Sequence, residues 1–406
     1  MERQLLFLSA YKQGKSYKNS NIMYCINYGG KSMKRIINTI ASTILVLTMT
    51  LALPQQSFAR DVNNLQIRLE KIDHIDKEDP LSLWNNNAKA KKELNAFIKA
   101  ITNKNGKEFI PIKDRIAVFD FDGTLFCETD PNYFDYMLLE YRVLEDPKYK
   151  NKASIFERKV ANMIKEQNET GKSFNSLPVD HGKAVASAFS GMTIKEFNSY
   201  IQEFKKQPMP SYKGMLRGDG FYLPMVQLVE YLQANNFTVY IVSGTDRFIV
   251  RGIIDGNVLN IPNRQIIGSD EKIIASKQGN KDGLEYLFRA EDDIVLDGEF
   301  IVKNLKMNKV SVIVKEIGQK PVLSFGNSSG DSSMAQYVVS KNPYRSLAFM
   351  LCCDDLEREN GDKTKAENMV GTCKRYGWIP ISMKKDWKTI YDPEVKRISR
   401  KQTKNK

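Results

Sequence analysis

Ile116-Ala117-Val118-Phe119-Asp120-Phe121-Asp122-Gly123-Thr124-Leu125 is the stretch on which the fold turns. It opens as a continuous apolar run, the mark of a strand buried on both faces of a parallel sheet. It then turns polar abruptly, with two carboxylates one residue apart followed by Gly-Thr. A buried strand that delivers Asp-x-Asp into a glycine turn sets its charges at the carboxyl edge of an open α/β sheet, where such sheets hold their ligands. Two carboxylates that close need a counter-charge, or one of them must carry a proton. Mg²⁺, a hard cation with a preference for oxygen donors, suits that place. The plainer reading is a strand ending in a solvated Asp turn. Three further pieces of the same pattern, in order downstream, weigh against it.

The first piece follows a change of period. Between Cys127 and about Leu223 the sequence reads as helices. Phe134, Leu138 and Tyr141 form one stripe, and Thr193-Ile194-Lys195-Glu196 is a capping box before the single apolar face of Ile194, Phe197, Ile201 and Phe204. About 95 helical residues inserted directly after the first strand form a cap, not a continuation of the sheet, and such lids exclude water and select substrate. The sheet resumes after a helix carrying Met225, Leu228, Val229 and Leu232. Phe237 to Val242 is a strand that ends in Ser243-Gly244-Thr245, a hydroxyl and free backbone amides before a helix, which suits a phosphate cradle. It is not a Gly-x-Ser-x-Gly elbow, so a serine nucleophile is disfavoured. Residues 264–302 read as short strands with a hairpin around Asp297-Gly298. A helix from about Asn308 carries Lys309 at its start. Pro321 to Gly326 is a further strand, ending in Asn327-Ser328-Ser329-Gly330-Asp331, and Ser346 to Leu351 and Ile379 to Met383 are the last strands. The fold class expected is α/β, a Rossmann-like parallel sheet with a helical cap inserted after its first strand. The core spans 116–127 and 224–392, and the cap 128–223.

The 406 residues are 42% hydrophobic and 27% charged, an ordinary globular composition with room for one large or two medium domains. The formal charge is +13, and residues 1–59 carry seven Lys/Arg against one acid. Lys34-Arg35 precedes an apolar run from Ile36 to Leu53, then Ser57-Phe58-Ala59. This reads as an export signal cleaved after Ala59, with Met33 as an alternative start and an uncleaved anchor over 36–53 as the competing reading. Either places the body outside the cytoplasm. Residues 60–115 read as a helical lead-in. A helix start is expected at Leu81-Ser82-Leu83-Trp84-Asn85, and Leu94, Phe97, Ile98 and Ile101 share one face. Lys384 to Lys406 holds nine Lys/Arg and three acids. This basic tail, set at 393–406, is read as a solvated terminus, and nucleic-acid binding is not required of it. Only His74 and His181 are present, which argues against histidine-built zinc sites and a Ser-His-Asp triad. Of Cys127, Cys352, Cys353 and Cys373, a pair joining Cys373 to Cys352 or Cys353 and four free thiols stand as alternatives.

Two Asp, a Ser, a Lys and an Asn/Asp pair thus arrive in order at strand or helix ends. On these motifs the chain resembles the haloacid dehalogenase superfamily of phosphatases. Asp120-Phe121-Asp122-Gly123-Thr124 resembles the family's first motif, Ser243 the second, Lys309 the third and Gly326 to Asp331 the fourth. Ser82 to Asn85, Gly191-Met192-Thr193 and Gly377-Trp378 make it most similar to secreted, phosphoserine-phosphatase-like bacterial members. The resemblance covers roughly 81–388. Lys303, Lys306, Lys315 and Lys320 lie near Lys309, which is preferred because it opens the helix before the fourth motif. The resemblance implies a phosphomonoesterase. Asp120 would be the nucleophile, Asp122 the general acid and base, and Ser243, Gly244 and Lys309 the phosphoryl-binding groups. Mg²⁺ would sit on Asp120, Asp122, Asp331 and Asn327. Asn327 stands where many relatives have Asp, which removes a negative charge beside the metal. Cys352-Cys353 stand where the most similar members would have His. Glu128 and Asp130 suit an ammonium on a small phosphate such as phosphoserine or phosphocholine, and Tyr133, Phe134 and Tyr136 could box a quaternary ammonium. A phosphotransferase, or a binding protein that keeps the fold without the reaction, are the alternatives.

Overall fold

The computed structural model of the chain describes residues 79–398; the expected export signal, the start of the lead-in and the end of the basic tail lie outside them. In chain order the strands are β1 (Ile116–Phe119), β2 (Tyr212–Lys213), β3 (Thr238–Asp246), β4 (Ile266–Ala275), β5 (Ile294–Val302), β6 (Leu323–Gly326), β7 (Leu347–Cys352), β8 (Ile379–Ser382) and β9 (Lys396–Arg397). Seven of them form one sheet in the order β5-β4-β3-β1-β6-β7-β8, parallel except for the edge strand β5. β1 lies at its centre, Val118 facing Tyr240 of β3 on one side and Ser324 of β6 on the other.

All four β1 residues are buried, and their alternation divides the core. Ala117 and Phe119 join the larger cluster, in which the Phe119 ring stacks on Phe325 with centroids 4.3 Å apart. That face is covered by α1 (Lys89–Thr102), through Leu94, Phe97, Ile98 and Ile101, and by the helix at Leu223–Ala234. Val118 points the other way, into a second cluster with Val242, Ile267, Ile313 and Met334. A strand apolar on both faces therefore sits between two helical layers, as a parallel sheet requires.

Between β1 and β3 no strand joins the large sheet. This segment contributes α2 (Phe134–Glu140), α3 (Ile155–Thr170), α4 (Leu177–Ala188) and α5 (Ile194–Lys205). The capping box at the start of α5 is formed: the Thr193 hydroxyl accepts from the Glu196 amide (3.1 Å), and the Glu196 carboxylate accepts from the Thr193 amide (2.8 Å). Ser154 and Glu157 form a second box before α3. The inserted helices are seated on the β4–β5 hairpin by close approaches. A Cβ on Gly182 of α4 would lie 2.4 Å from the Phe300 ring, so only glycine lets that ring pack against the helix. The remaining helices are α6 (Leu223–Ala234), α7 (Arg247–Ile254), α8 (Met307–Val312), α9 (Ser332–Val339), α10 (Lys363–Tyr376) and α11 (Met383–Asp386). No helix of the described residues is long and apolar enough to cross a membrane.

Three expectations are corrected and one open alternative is resolved. Leu81 to Asn85 is a turn, not a helix start. Trp84 bridges Trp387 and donates its indole N–H to the Pro224 carbonyl (3.0 Å), so long-range anchoring overrides the local pattern. Asp297-Gly298 is not the hairpin tip. It lies within β5, where the register shifts opposite Glu271–Ile273 and Gly298 takes φ +94°; this bulge meets Ser190 of the insertion. The start of the tail is ordered: β9 pairs antiparallel with β2, and the Ile398 amide donates to Ser211. Cys127, Cys352, Cys353 and Cys373 are all free thiols, three of them buried.

Candidate active site

The strand hands its charges to the sheet edge in one step. The Asp120 amide donates to the Phe325 carbonyl (2.8 Å), the last rung between β1 and β6. Phe121 then turns back into the core, stacked on Phe126 at 5.2 Å, which leaves Asp120 and Asp122 facing one cavity. Gly123 closes the turn at φ +73°. A Cβ there would fall 1.9 Å from Asn327 Nδ2 and 2.5 Å from Glu128 Cδ, so the glycine admits both side chains beside the Asp-x-Asp loop.

Lys309, in the first turn of α8, is fully buried. Its ammonium donates to Asp120 Oδ1 (2.5 Å) and to Asp331 Oδ1 (2.6 Å). The other Asp331 oxygen accepts from the amides of Asn327 (3.1 Å) and Ser328 (3.0 Å) and from the Ser328 hydroxyl (3.1 Å). Both Asp331 oxygens are thus engaged within the protein. Asp331, expected as a metal ligand, acts here as the post that aims Lys309 at Asp120 and shapes the 327–331 turn.

The second motif is also placed differently. Ser243 is fully buried and does not line the cavity. Its hydroxyl accepts from the Thr245 amide (3.0 Å), and its carbonyl accepts from the Asn304 side chain (2.9 Å). Gly244 and Thr245 form the wall instead. The Thr245 hydroxyl lies 2.7 Å from Asp122 Oδ2 and 3.2 Å from Asp135 Oδ2. Thr245 and Asp135 carried no separate signal in the sequence. Thr245 shared a triplet with the residue preferred for its position, and Asp135 lay hidden inside an aromatic helix stripe.

Burial drives the electrostatics. It lifts the Asp120 carboxyl, as does Asp331, against the opposing pull of Lys309, to about 6. Burial, then Asp135 and Asp120, hold the Asp122 carboxyl well above the carboxylate range, against the Thr245 hydrogen bond. Burial likewise raises Glu128 to about 8, against its hydrogen bond with Asn327. The two carboxyls are shifted unequally, Asp120 to about 6 and Asp122 well above the carboxylate range. Two carboxylates one residue apart are thereby set to different tasks.

The cavity holds about 140 Å³ and is lined by Asp120, Asp122, Glu128, Tyr133, Asp135, Tyr136, Lys303, Asn327, Ser328 and others. Asp130, expected beside a substrate ammonium, is elsewhere: it accepts from the Ser211 amide (2.7 Å) and pairs with Arg217 (3.2 Å), tying the loop to the segment before β2. Phe134 packs edge-on against Phe126 and Phe204, leaving only Tyr133 and Tyr136 of the expected aromatic box. Cys352 ends β7, and the acids after Cys353 are structural. Asp354 accepts from the Ser382 hydroxyl, and Asp355 accepts from the amide and guanidinium of Arg358.

A small chamber adjoins the cavity, sharing Asp135 and Lys303 with it and lined further by His181, Asp246, Glu271 and Phe300. Burial lowers His181 to about 4, so its ring is neutral. Both Glu271 oxygens are buried without a partner, and burial, Asp246 and Asp270 raise its carboxyl to about 9. The folded chain therefore holds a proton there that the unfolded chain releases near pH 4.5, and stability falls as pH rises through that window. Glu271→Gln is expected to stabilise the fold by about 1–3 kcal/mol at pH 8 and by little at pH 5, read from denaturant unfolding at both. Equal gains at the two pH values would refute this assignment.

For a divalent ion the chemistry of the donors fits. They are hard oxygens in acid excess, with Asp122 Oδ1 buried and unpartnered. Among the described residues no three His, Cys, Asp or Glu side chains are gathered as a ready-made ligand set. The donors would be mixed: the Asp120 carboxylate, the Asp122 main-chain carbonyl, Asp331 and the Asn327 carboxamide.

No protein-family model and no curated protein matches the chain. Solved structures similar to it include a conserved protein of unknown function from Anaerococcus prevotii, at 15% identity over 72% of this chain and 91% of that one, with a TM-score of 0.44. Cytosolic 5'-nucleotidase IIIB bound to cytidine is 12% identical over 78% of this chain and 88% of that one (TM-score 0.43). A substrate-bound phosphoserine phosphatase is 16% identical over 64% and 97% (TM-score 0.32).

Proposed function

We propose that the chain is a phosphomonoester hydrolase working through an aspartyl-phosphate on Asp120. The observation that carries this reading is the arrangement at the end of β1: Asp120 aligned by a buried Lys309, beside Asp122, which accepts from Thr245 and whose carboxyl is pushed upward by burial, Asp135 and Asp120. An Asp120 oxygen attacks phosphorus while the bond to the leaving oxygen breaks, and the Asp122 proton passes to that oxygen to release the alcohol. The Asp122 carboxylate then takes a proton from water. The water oxygen attacks the same phosphorus, the bond to Asp120 breaks, and inorganic phosphate leaves. Lys309 holds the Asp120 carboxylate aimed into the cavity as charge shifts toward the phosphoryl oxygens. Mg²⁺, when held by the Asp120 carboxylate, the Asp122 main-chain carbonyl, Asp331 and Asn327, would neutralise phosphoryl charge.

The inserted helices are read as the lid over this cavity. Glu128, Tyr133 and Tyr136 on its wall favour a small substrate with an ammonium group. The leader at 1–59 motivates the further reading that the enzyme works outside the cytoplasm.

The test is phosphate release by the full chain from a panel of phosphomonoesters, with Mg²⁺ and with EDTA, beside Asp120→Asn. Turnover dependent on metal and on Asp120 is the expected result. A folded protein that releases no phosphate from any ester would reject hydrolysis in favour of a binding role. Transfer of the phosphoryl group to added alcohols in preference to water would mark a phosphotransferase.

A further inference from the structure

Lys309 is not the cation that a substrate meets in this cavity. Its ammonium is spent on two carboxylates and has no exposed surface. Lys303 is different. It is half-buried, lines both the cavity and the adjoining chamber, and makes no hydrogen bond or ion pair through its ammonium among the described residues. Among the described residues it is the one cationic side chain lining the cavity.

Its backbone is fixed. Lys303 follows directly on β5. The next residue, the fully buried Asn304, donates from its side chain to the Ser243 carbonyl (2.9 Å) and from its amide to Ser269 Oγ (3.0 Å). Leu305 closes against Gly244, where a Cβ would fall 2.6 Å from its methyl, and Lys306 at φ +55° turns the chain into α8. One seven-residue segment thus delivers a buried lysine to the nucleophile and a free lysine to the other end of the cavity. The electrostatic neighbours agree: Lys303 acts on His181 of α4, and Lys309 on Asp120.

Resting on the phosphomonoesterase reading, we propose that Lys303 is a specificity residue that grips a second anionic group, carried by the leaving-group portion of the substrate. That group is a carboxylate or a second phosphate. A free ammonium fixed in a partly desolvated wall of carboxyls gains most from an anion that reaches it, and an ester without one leaves it unpaired.

The experiment compares native protein, Lys303→Met and Lys303→Arg on three esters: phenyl phosphate, phosphoglycolate and ethanediol bisphosphate. Lys303→Met is expected to lower kcat/KM for the second or third ester by about 10–100-fold more than for phenyl phosphate, chiefly through KM, with Lys303→Arg recovering most of it. The arm that suffers identifies the anion as carboxylate or phosphate. Calorimetric binding of phosphonoacetate against methylphosphonate gives the same comparison without turnover. The expected result is a native preference for phosphonoacetate that Lys303→Met removes. If the protein hydrolyses nothing but this preference behaves as stated, the hydrolase reading fails and the anion site stands. Equal losses on all three esters, or lost stability with unchanged discrimination, would make Lys303 a counter-ion for Asp246 and Glu271 and overturn the proposal.

Discussion

Asp120→Asn is expected to remove phosphate release to at least about 10⁴-fold below the native rate, whereas Asp122→Asn leaves a reaction that depends on the leaving group. The two side chains lie two residues apart on one loop and line one cavity, so position alone does not separate them. Their partners do. Asp120 faces the Lys309 ammonium at 2.5 Å, which favours a charged nucleophile; at Asp122 burial and the Asp135 and Asp120 carboxyls favour a proton, against the hydrogen bond from Thr245. A carboxamide at 120 cannot form the acyl phosphate, and no neighbouring group replaces it. A carboxamide at 122 still allows attack when the leaving oxygen needs no proton. Asp122→Asn should therefore cost about 10²–10⁴-fold on an alkyl phosphate and much less on p-nitrophenyl phosphate. It should also slow hydrolysis of the intermediate, because the base for the second step is gone. Acid-quenched protein incubated with radiolabelled substrate should retain label in Asp122→Asn and none in Asp120→Asn. Label on both variants, or equal losses on both leaving groups, would reverse or dissolve the assigned roles.

How much of this was legible in the sequence depends on the range of the interactions. β1 and the ends of β3 and β6 were readable because a buried parallel strand is apolar on both faces and then stops at polar residues; Asp120 and Asp122 follow from that pattern, and Lys309 from its place at the start of the helix before β6. The insertion was readable because its helices carry their own caps and stripes, as Thr193 and Glu196 do. What escaped was set by contacts across the chain. Trp84 is held by Pro224 and Trp387, far along the sequence, and Gly298 is a bulge because Ser190 packs against it, not because a hairpin turns there. Within the site, Ser243 and Thr245 are equally good hydroxyls in sequence. Only the irregular pairing between β3 and β4 decides which one faces Asp122. That Asp331 braces the 327–331 turn and also holds Lys309 was not legible, because only the fold brings Lys309 beside it.

Lys309→Met should test the same geometry through stability, where its effect is expected to be large. The native ammonium is buried between Asp120 and Asp331, at 2.5 and 2.6 Å. Methionine fills much of the same volume but leaves two buried carboxylates facing each other without a cation. Removing one member of a buried ion cluster costs about 3–5 kcal/mol, and the melting temperature should fall by on the order of 10 °C. The pH dependence follows from the direction of the shifts. Lys309 opposes the rise that burial and Asp331 impose on Asp120. Without it the folded Asp120 carboxyl moves further above its unfolded value and binds a proton that the unfolded chain has released. The variant's deficit should then be larger at pH 8 than at pH 5. Adding Asp120→Asn to Lys309→Met removes one of the stranded charges, so the double variant should be less unstable than the sum of the single changes, by about 1–3 kcal/mol. Strict additivity would mean that Asp120 and Lys309 do not meet in solution as they do here. The aligned nucleophile would then lose its physical basis, even if Asp120 proved essential to turnover.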